Sequence, residues 1–365
     1  MASLSDRVDR TPTNADILDM SRIEVVAPNL KSRLSGVTST IIQLVPVQQR
    51  SIGIATIGPG LPESMPKMRW WQLPALLLRP ASGRWRIWHA RRNVEMVAGL
   101  LLRHLFRAPL RLLFTSAAQR EHQAFTKWLI AKMDAVIATS GRSGGFLDVP
   151  HTVVMHGVDL DRFHPPAVST DRLADAGLPG KYAIGCFGRV RHQKGTDLFI
   201  DAMIALLPEF PDWTAIVTGR VTADNRDFAD DLQRRVDEAG LSERIRFLGE
   251  VPDIRPWYRR LSLYVAPSRN EGFGLTPLEA MASGSAVVAS DAGAFAEMVV
   301  PGRTGDVVSA GDGAALTAAI RPYFADPALA EEHGRNALAH VRRHFPLSRE
   351  ADGIAAVYDR LWAMR

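Results

Sequence analysis

The chain has 365 residues, 46% of them hydrophobic, which is enough to bury a large core and points to two domains. Its single cysteine, Cys186, excludes an internal disulfide, and no Cys/His cluster has zinc-ligand spacing. The formal net charge of +5 is uneven. Residues 1–165 carry 21 Lys/Arg against 12 Asp/Glu, and residues 67–132 hold thirteen basic residues with only Glu95 and Glu121 as acids. A basic first half suggests an anionic partner: nucleic acid, acidic lipid or a charged acceptor. Residues 1–14 are polar, with no apolar signal region, and the longest apolar runs, such as 73–78, are too short to span a bilayer. A soluble or peripheral, cytoplasmic protein is expected.

In chain order, β-rich runs at 22–27, 51–56, 84–88, 110–114, 135–139 and 152–155 alternate with helical patterns such as 93–106. Residues 29–36 read as a polar loop before a helix beginning near Val37, where Gly36 would let the helix start approach a phosphate. Residues 68–79 mix Trp, Leu and Arg in the manner of an interfacial segment, although such residues are equally a core pattern. His89, Arg91 and Arg92 follow a strand end and are candidates for an acceptor's carboxylate. His156-Gly157-Val158-Asp159 follows a strand, where a turn is equally well explained by structure, and His156 is not expected to be catalytic. A polar, proline-bearing stretch, 164–179, is the best linker. The strand rhythm then restarts at 182–187, 214–218, 245–248, 263–266 and 286–290.

This alternation predicts an α/β protein with parallel sheets covered on both faces, as two Rossmann-like domains. The expected division is a tail at 1–20, a first domain at 21–168, a second at 169–345 and a crossover helix at 346–365. That last run, ending in Tyr358, Leu361 and Trp362, is expected to pack back on the first domain. Ligands in open α/β sheets sit beyond the strands' carboxyl ends, so the expected site is a cleft between the domains.

The most informative run is Glu271-Gly272-Phe273-Gly274-Leu275-Thr276-Pro277-Leu278-Glu279, two carboxylates flanking a glycine-bearing loop that opens a helix. Backbone N–H groups there can cradle a phosphate while the acids hold hydroxyls, a pattern suited to a nucleotide sugar. Thr276-x-x-Glu279 is also a structural capping box, with Pro277 at the helix start. Glu271 precedes the helix, where a purely structural loop gains nothing obvious from an acid. The second cluster, Gly188-Arg189 through Lys194-Gly195-Thr196, leaves the first strand of the second domain, where fixed cations would neutralise a diphosphate. The order Lys-Gly-Thr is not that of a P-loop, which disfavours ATPase chemistry. A solvated basic turn is the alternative for Lys194.

Together, His156-Gly157-Val158-Asp159, Gly188-Arg189 with Lys194-Gly195, Phe247-Leu248-Gly249 and Glu271–Glu279 resemble the GT-B glycosyltransferases of retaining family 4. The resemblance implies that Arg189 and Lys194 bind the donor diphosphate, Glu271 contacts the transferred sugar, and Glu279 holds the ribose. It also implies backbone phosphate contacts near Gly272, Phe273, Gly274, Leu275 and Thr276, a donor-binding place for Gly188, a base contact near Val251, and retention without an obligatory metal. Two departures stand out. Ser35-Gly36 replaces paired glycines, and Phe114-Thr115-Ser116 stands where several members carry a strand-end histidine. The chain as a whole, especially residues 22–37 and 85–92, looks like the mannosyltransferases of the rhizobial lipopolysaccharide inner core. That likeness implies GDP-mannose as donor, no further cofactor, and a Kdo residue on an anionic lipid A precursor as acceptor, at the cytoplasmic face of the inner membrane. Another nucleotide hexose with a different acceptor, a nucleotide-sugar epimerase, and a nucleic-acid or membrane-binding protein remain alternatives. Nucleic acid is the least favoured partner, because the ordered cations and carboxylates suit an enzyme.

Overall fold

The computed structural model describes residues 17–32, 36–166 and 173–364. Two parallel six-stranded sheets carry the fold. The first holds β1 (Val25–Pro28), β2 (Ile54–Ile57), β3 (Arg86–Ala90), β4 (Leu110–Ser116), β5 (Ala135–Ala138) and β6 (Thr152–Val153), in the order β2-β1-β3-β4-β5-β6. The second holds β7 (Tyr182–Phe187), β8 (Trp213–Thr218), β9 (Ile245–Phe247), β10 (Leu263–Ala266), β11 (Ala286–Ser290) and β12 (Gly305–Val308), in the order β12-β11-β10-β7-β8-β9. Strands β1, β2, β3, β8, β10 and β11 are buried along their whole length, as a sheet covered on both faces requires. Eleven of the twelve strands coincide with expected runs, shifted at most a few residues at their ends. Thus Arg22 lies in a short 3₁₀ turn, Met20–Arg22, capped by Asp19, and β1 begins three residues later.

The chain divides into two compact units. One takes the chain through Phe114, with Lys132–Asp134 and the stretch from Tyr358; the other takes Thr115–Ala131 and Ala135–Val357. Most of the expected tail, and residues 167–172 of the expected linker, lie outside the described residues.

From Tyr358 on, the last helix, Leu347–Ala363, belongs to the first unit and packs on its early strands, as expected. Tyr358 and Leu361 are buried, the Tyr358 hydroxyl lies 2.7 Å from His89 Nδ1, and the Trp362 indole donates to the Trp85 carbonyl at 3.1 Å. Arg86 is fully buried at the start of β3 and donates to the carbonyls of Met20, Ile23, Ala75 and Leu78 at 2.6–2.9 Å. That guanidinium fastens the entry to β1 and the 3₁₀ helix Trp70–Leu77 onto the sheet. Burial lowers its pKa from the ordinary value, and four carbonyl dipoles offset the lost water. No helix among the described residues is long and apolar enough to cross a membrane.

Candidate functional site

In the second sheet the strand order turns back between β7 and β10, the position where open α/β sheets bind ligands beyond their carboxyl ends. The chain leaves β7 through Gly188-Arg189 and β10 through Pro267-Ser268, and both exits line one pocket together with Lys194 and Thr276. After β7 a single 3₁₀ turn, His192–Lys194, leads into the helix Thr196–Leu206. Gly195 joins them at φ +70°, and a Cβ there would stand 2.0 Å from the Pro267 carbonyl oxygen. Only glycine allows that approach.

The loops after β7 and β10 are bonded into one body. The Gln193 carbonyl accepts from the Arg269 and Asn270 amides at 2.9 and 3.3 Å. Arg269 forks onto both Asp197 oxygens at 2.7 Å and reaches the His192 carbonyl at 2.8 Å. Burial works against the Asp197 charge, yet the Arg269 bonds hold its carboxyl below the ordinary value. In this frame the Lys194 ammonium meets the Glu271 carboxylate, 77 residues apart in the chain. Glu271 also accepts from the Gly272 amide at 3.1 Å. The loop therefore does gain a structural partner from this acid, against the expectation. Arg189 is exposed and has no hydrogen-bond or ion-pair partner among the described residues. Burial pushes the Cys186 thiol up to about 12 despite the Lys194 charge, which disfavours its thiolate.

The expected capping box is absent. The helix Thr276–Ala282 has Leu275 at its N-cap with no side-chain cap bond. Glu279 instead accepts the Tyr258 hydroxyl at 2.8 Å. Desolvation raises the Glu279 pKa from the ordinary value, with the Tyr258 bond and the Arg162 charge opposing it. Burial likewise pushes the Tyr258 and Tyr264 phenols well above their usual range; Tyr264 donates to the Phe187 carbonyl at 3.1 Å. Gly274, at φ +85°, leaves room for Phe295, which would lie 2.2 Å from a Cβ. Phe273 is buried and meets the edge of the His156 ring at 4.7 Å between centroids. His156 Nδ1 in turn lies 2.6 Å from Glu350, which also accepts from the Gly157 amide at 2.8 Å. These contacts tie the His156 turn to the loop that carries Glu271. Gly272 faces the Ala117 carbonyl, and the space beside Gly188 is open. Val251 is half-buried and does not line the pocket.

The acceptor candidates of the first unit are engaged internally. His89 is wholly buried, and desolvation, then the Arg91 charge, pushes it well below its ordinary pKa. Arg92 donates to Asn29 at 2.7 Å, to Glu95 at 2.9 Å and to Thr38 at 2.9 Å. Arg91 is half-buried, with its amide on Glu95 at 2.7 Å. Gly36 begins the helix Gly36–Gln48 with open space about it; Ser35 is outside the described residues.

Sequence reasoning missed Arg269, Asp197, Tyr258 and Glu350. Arg269 stands two residues before Glu271 and could have been noted; Tyr258 and Glu350 are set by tertiary packing and leave no signal in the spacing. It also missed His122. The imidazole Nε2 lies 3.3 Å from the Ser116 hydroxyl, so a histidine six residues on does reach back to the end of β4.

Residues 181–326 match the family described as Glycosyl transferases group 1. The chain is 67% identical over 344 residues to the lipopolysaccharide core biosynthesis mannosyltransferase LpcC of Rhizobium leguminosarum bv. viciae, covering 94% of this chain and 98% of the relative. It is 54% identical to LpsB of Rhizobium meliloti (strain 1021), which bears the same description, over 94% of this chain and 99% of that one. Among solved structures, the C-terminal domain of the group 1 protein LpcC from Francisella tularensis is 39% identical, with a TM-score of 0.50, covering 52% of this chain and all of that one. Anabaena Alr3699/HepE in complex with UDP and glucose matches at 19% identity and a TM-score of 0.77, covering 93% and 100%. That likeness speaks for the fold alone, which is GT-B.

Proposed function

This chain is a group 1 glycosyltransferase belonging to the lipopolysaccharide core mannosyltransferases, and from that premise we propose that it moves mannose from GDP-mannose to a Kdo residue of the inner core. Arg189 and Lys194 would neutralise the donor diphosphate. An ammonium has three donors, so Lys194 can bond Glu271 and still offer N–H groups to a phosphate. As the sugar–oxygen bond breaks, negative charge grows on the departing GDP. Lys194, already held by the Gly195 turn and its Glu271 partner, would meet it without reorganising, and the exposed Arg189 would add its charge. On this reading no metal is obligatory, and turnover should survive chelation.

Glu271, held by Lys194 and the Gly272 amide, would face the mannose hydroxyls, and Glu279 would accept from the ribose. Backbone groups from Gly272 to Thr276 would touch phosphate, and the turn at Val251 would meet the base. The configuration at the sugar carbon would be retained. Arg91, whose guanidinium also donates to the His89 carbonyl at 3.4 Å, would contact the acceptor's carboxylate; an unchanged acceptor KM in Arg91→Ala would remove that role. The basic first half fits a carboxylate- and phosphate-bearing acceptor at the cytoplasmic face of the inner membrane.

The observation that carries this reading is the meeting of the Lys194 and Glu271 loops beside Arg189 where the second sheet's strand order turns back. A panel of nucleotide sugars, assayed with a Kdo-bearing lipid acceptor and the linkage read by NMR, tests it. GDP-mannose should give one α-linked product. Preference for a UDP-sugar would overturn the donor assignment, and sugar conversion without acceptor would point to an epimerase.

A further inference from the structure

Glu279, the acid assigned to the ribose, is itself held, and the group that holds it does not line the pocket after β7 and β10. Glu279 is half-buried in the first turn of the helix Thr276–Ala282. Among the described residues its carboxylate has one hydrogen bond, from the Tyr258 hydroxyl at 2.8 Å. Tyr258 comes from a different element, the short helix Arg255–Arg259, and is almost wholly buried. Aromatic rings cage it. Phe187 and Phe163 meet it edge to face at 4.9 and 5.8 Å between centroids, and Tyr264 stands at 5.7 Å. Packing at interior density leaves the ring no room to swing, so its hydroxyl stays aimed at the carboxylate.

The same cage reaches the pocket, whose lining includes Phe187, Tyr264 and Thr276. The Tyr264 hydroxyl donates to the Phe187 carbonyl and adjoins the hydroxyls of Tyr258 and Thr276. A line of hydroxyls thus runs from the pocket wall to Glu279. Satisfying a buried phenol does not by itself call for an acid, since Tyr264 is served by a backbone carbonyl. A carboxylate has roughly four acceptor sites, so one phenol bond leaves its second oxygen for a ligand hydroxyl. What Tyr258 adds is orientation: an acceptor fixed before the ligand arrives loses less freedom on binding. Burial disfavours the Glu279 charge and the phenol bond favours it, so the same contact keeps the carboxyl an acceptor.

We propose that Tyr258 is a positioning residue for the donor: its hydroxyl fixes the Glu279 carboxylate so that the second oxygen takes a ribose hydroxyl, and this sets a preference for ribose over deoxyribose donors. The proposal rests on the reading of Glu279 as the ribose acceptor. It adds the group that makes that contact selective.

The test compares kcat and donor KM for a nucleotide sugar and its 2′,3′-dideoxyribose analogue, using GDP-mannose or whichever donor the panel above favours. In wild type the dideoxy donor should have a KM about tenfold higher, the effect of one lost hydrogen bond to a charged group. Tyr258→Phe should raise the KM of the ribose donor about tenfold and leave that of the dideoxy donor within about twofold, with kcat nearly unchanged. The discrimination then vanishes. A phenol that only supports the fold would weaken both donors alike or lower kcat, and either result overturns the proposal. So does a Tyr258→Phe enzyme that still separates the two donors as wild type does. Glu279→Gln tells the two readings apart. If it keeps the discrimination, the ribose contact itself is wrong; if it loses the discrimination while Tyr258→Phe keeps it, only the positioning role falls. Should Tyr258→Phe fail to melt cooperatively, Tyr264→Phe decides. It removes the hydroxyl beside Tyr258 and should raise the KM of the ribose donor alone, by about threefold; equal effects on both donors would overturn the proposal.

Discussion

Each sheet turns back on itself once, between β1 and β3 in the first and between β7 and β10 in the second, and the two places are built oppositely. After β1 and β3 the polar groups are spent on one another. Arg92 joins Asn29, Thr38 and a fully buried Glu95, while Asn29 also donates to the Pro59 and Lys31 carbonyls at 2.6 and 3.1 Å. After β7 and β10 the framework is equally bonded, through Arg269, Asp197 and Gln193, but its inner face keeps an exposed Arg189 with no partner among the described residues. An arginine after a strand end is therefore not a ligand group by virtue of its place. What matters is whether an acceptor already holds it.

That contrast breaks most visibly at Arg92. Arg92→Ala strands the buried Glu95 carboxylate, and loss of a buried partner costs about 3–5 kcal/mol. Urea unfolding should show that loss; a change below about 1 kcal/mol would mean the network is not structural. Arg189→Ala should do the reverse. Its unfolding midpoint should match wild type while donor turnover falls on the order of 100-fold, the effect of removing one charge that stabilises a transition state.

Glu279→Gln sharpens the comparison inside the second unit. Its desolvated carboxyl has a raised pKa, so the folded state holds that proton more tightly than the unfolded chain does, and stability is lost as pH rises through the raised value. The variant should therefore be more stable than wild type at neutral pH, with the advantage vanishing below the ordinary carboxyl range. GDP-mannose affinity should meanwhile drop about tenfold, as expected for one lost hydrogen bond to a charged group. Equal melting curves at pH 7.5 would contradict the burial argument. The smallest effect concerns His89, whose burial lowers its pKa, so the unfolded chain takes up a proton that the folded one refuses. Stability should fall as pH drops below about 6.5, by no more than about 1.4 kcal/mol per pH unit, and His89→Asn should flatten that slope.

Much of the fold was legible because a buried parallel strand is a short apolar, β-branched run such as Ala286–Ser290, bounded by turn residues. The strand Gly305–Val308 escaped because it is a half-exposed edge strand carrying Asp306, too short and polar to stand out. At the site, Lys194 and Glu271 could be named from type and position. Their partners could not, because Tyr258 reaches Glu279 and Glu350 reaches His156 through packing, with no local spacing. The capping-box reading of Thr276 and Glu279 failed for the same reason: a tertiary hydroxyl outcompeted the local backbone amide. His89 misled in the opposite sense: it lies inside β3 rather than after a strand end, and the sequence did not reveal that the last helix covers it.

The account turns on whether the cations beside β7 serve the donor. The direct measurement is single-turnover transfer from GDP-mannose by Arg189→Ala/Lys194→Ala, with circular dichroism melting on the same sample. The account predicts a rate at least 100-fold below wild type in a protein that still melts cooperatively. A folded variant transferring mannose within twofold of wild type would contradict it.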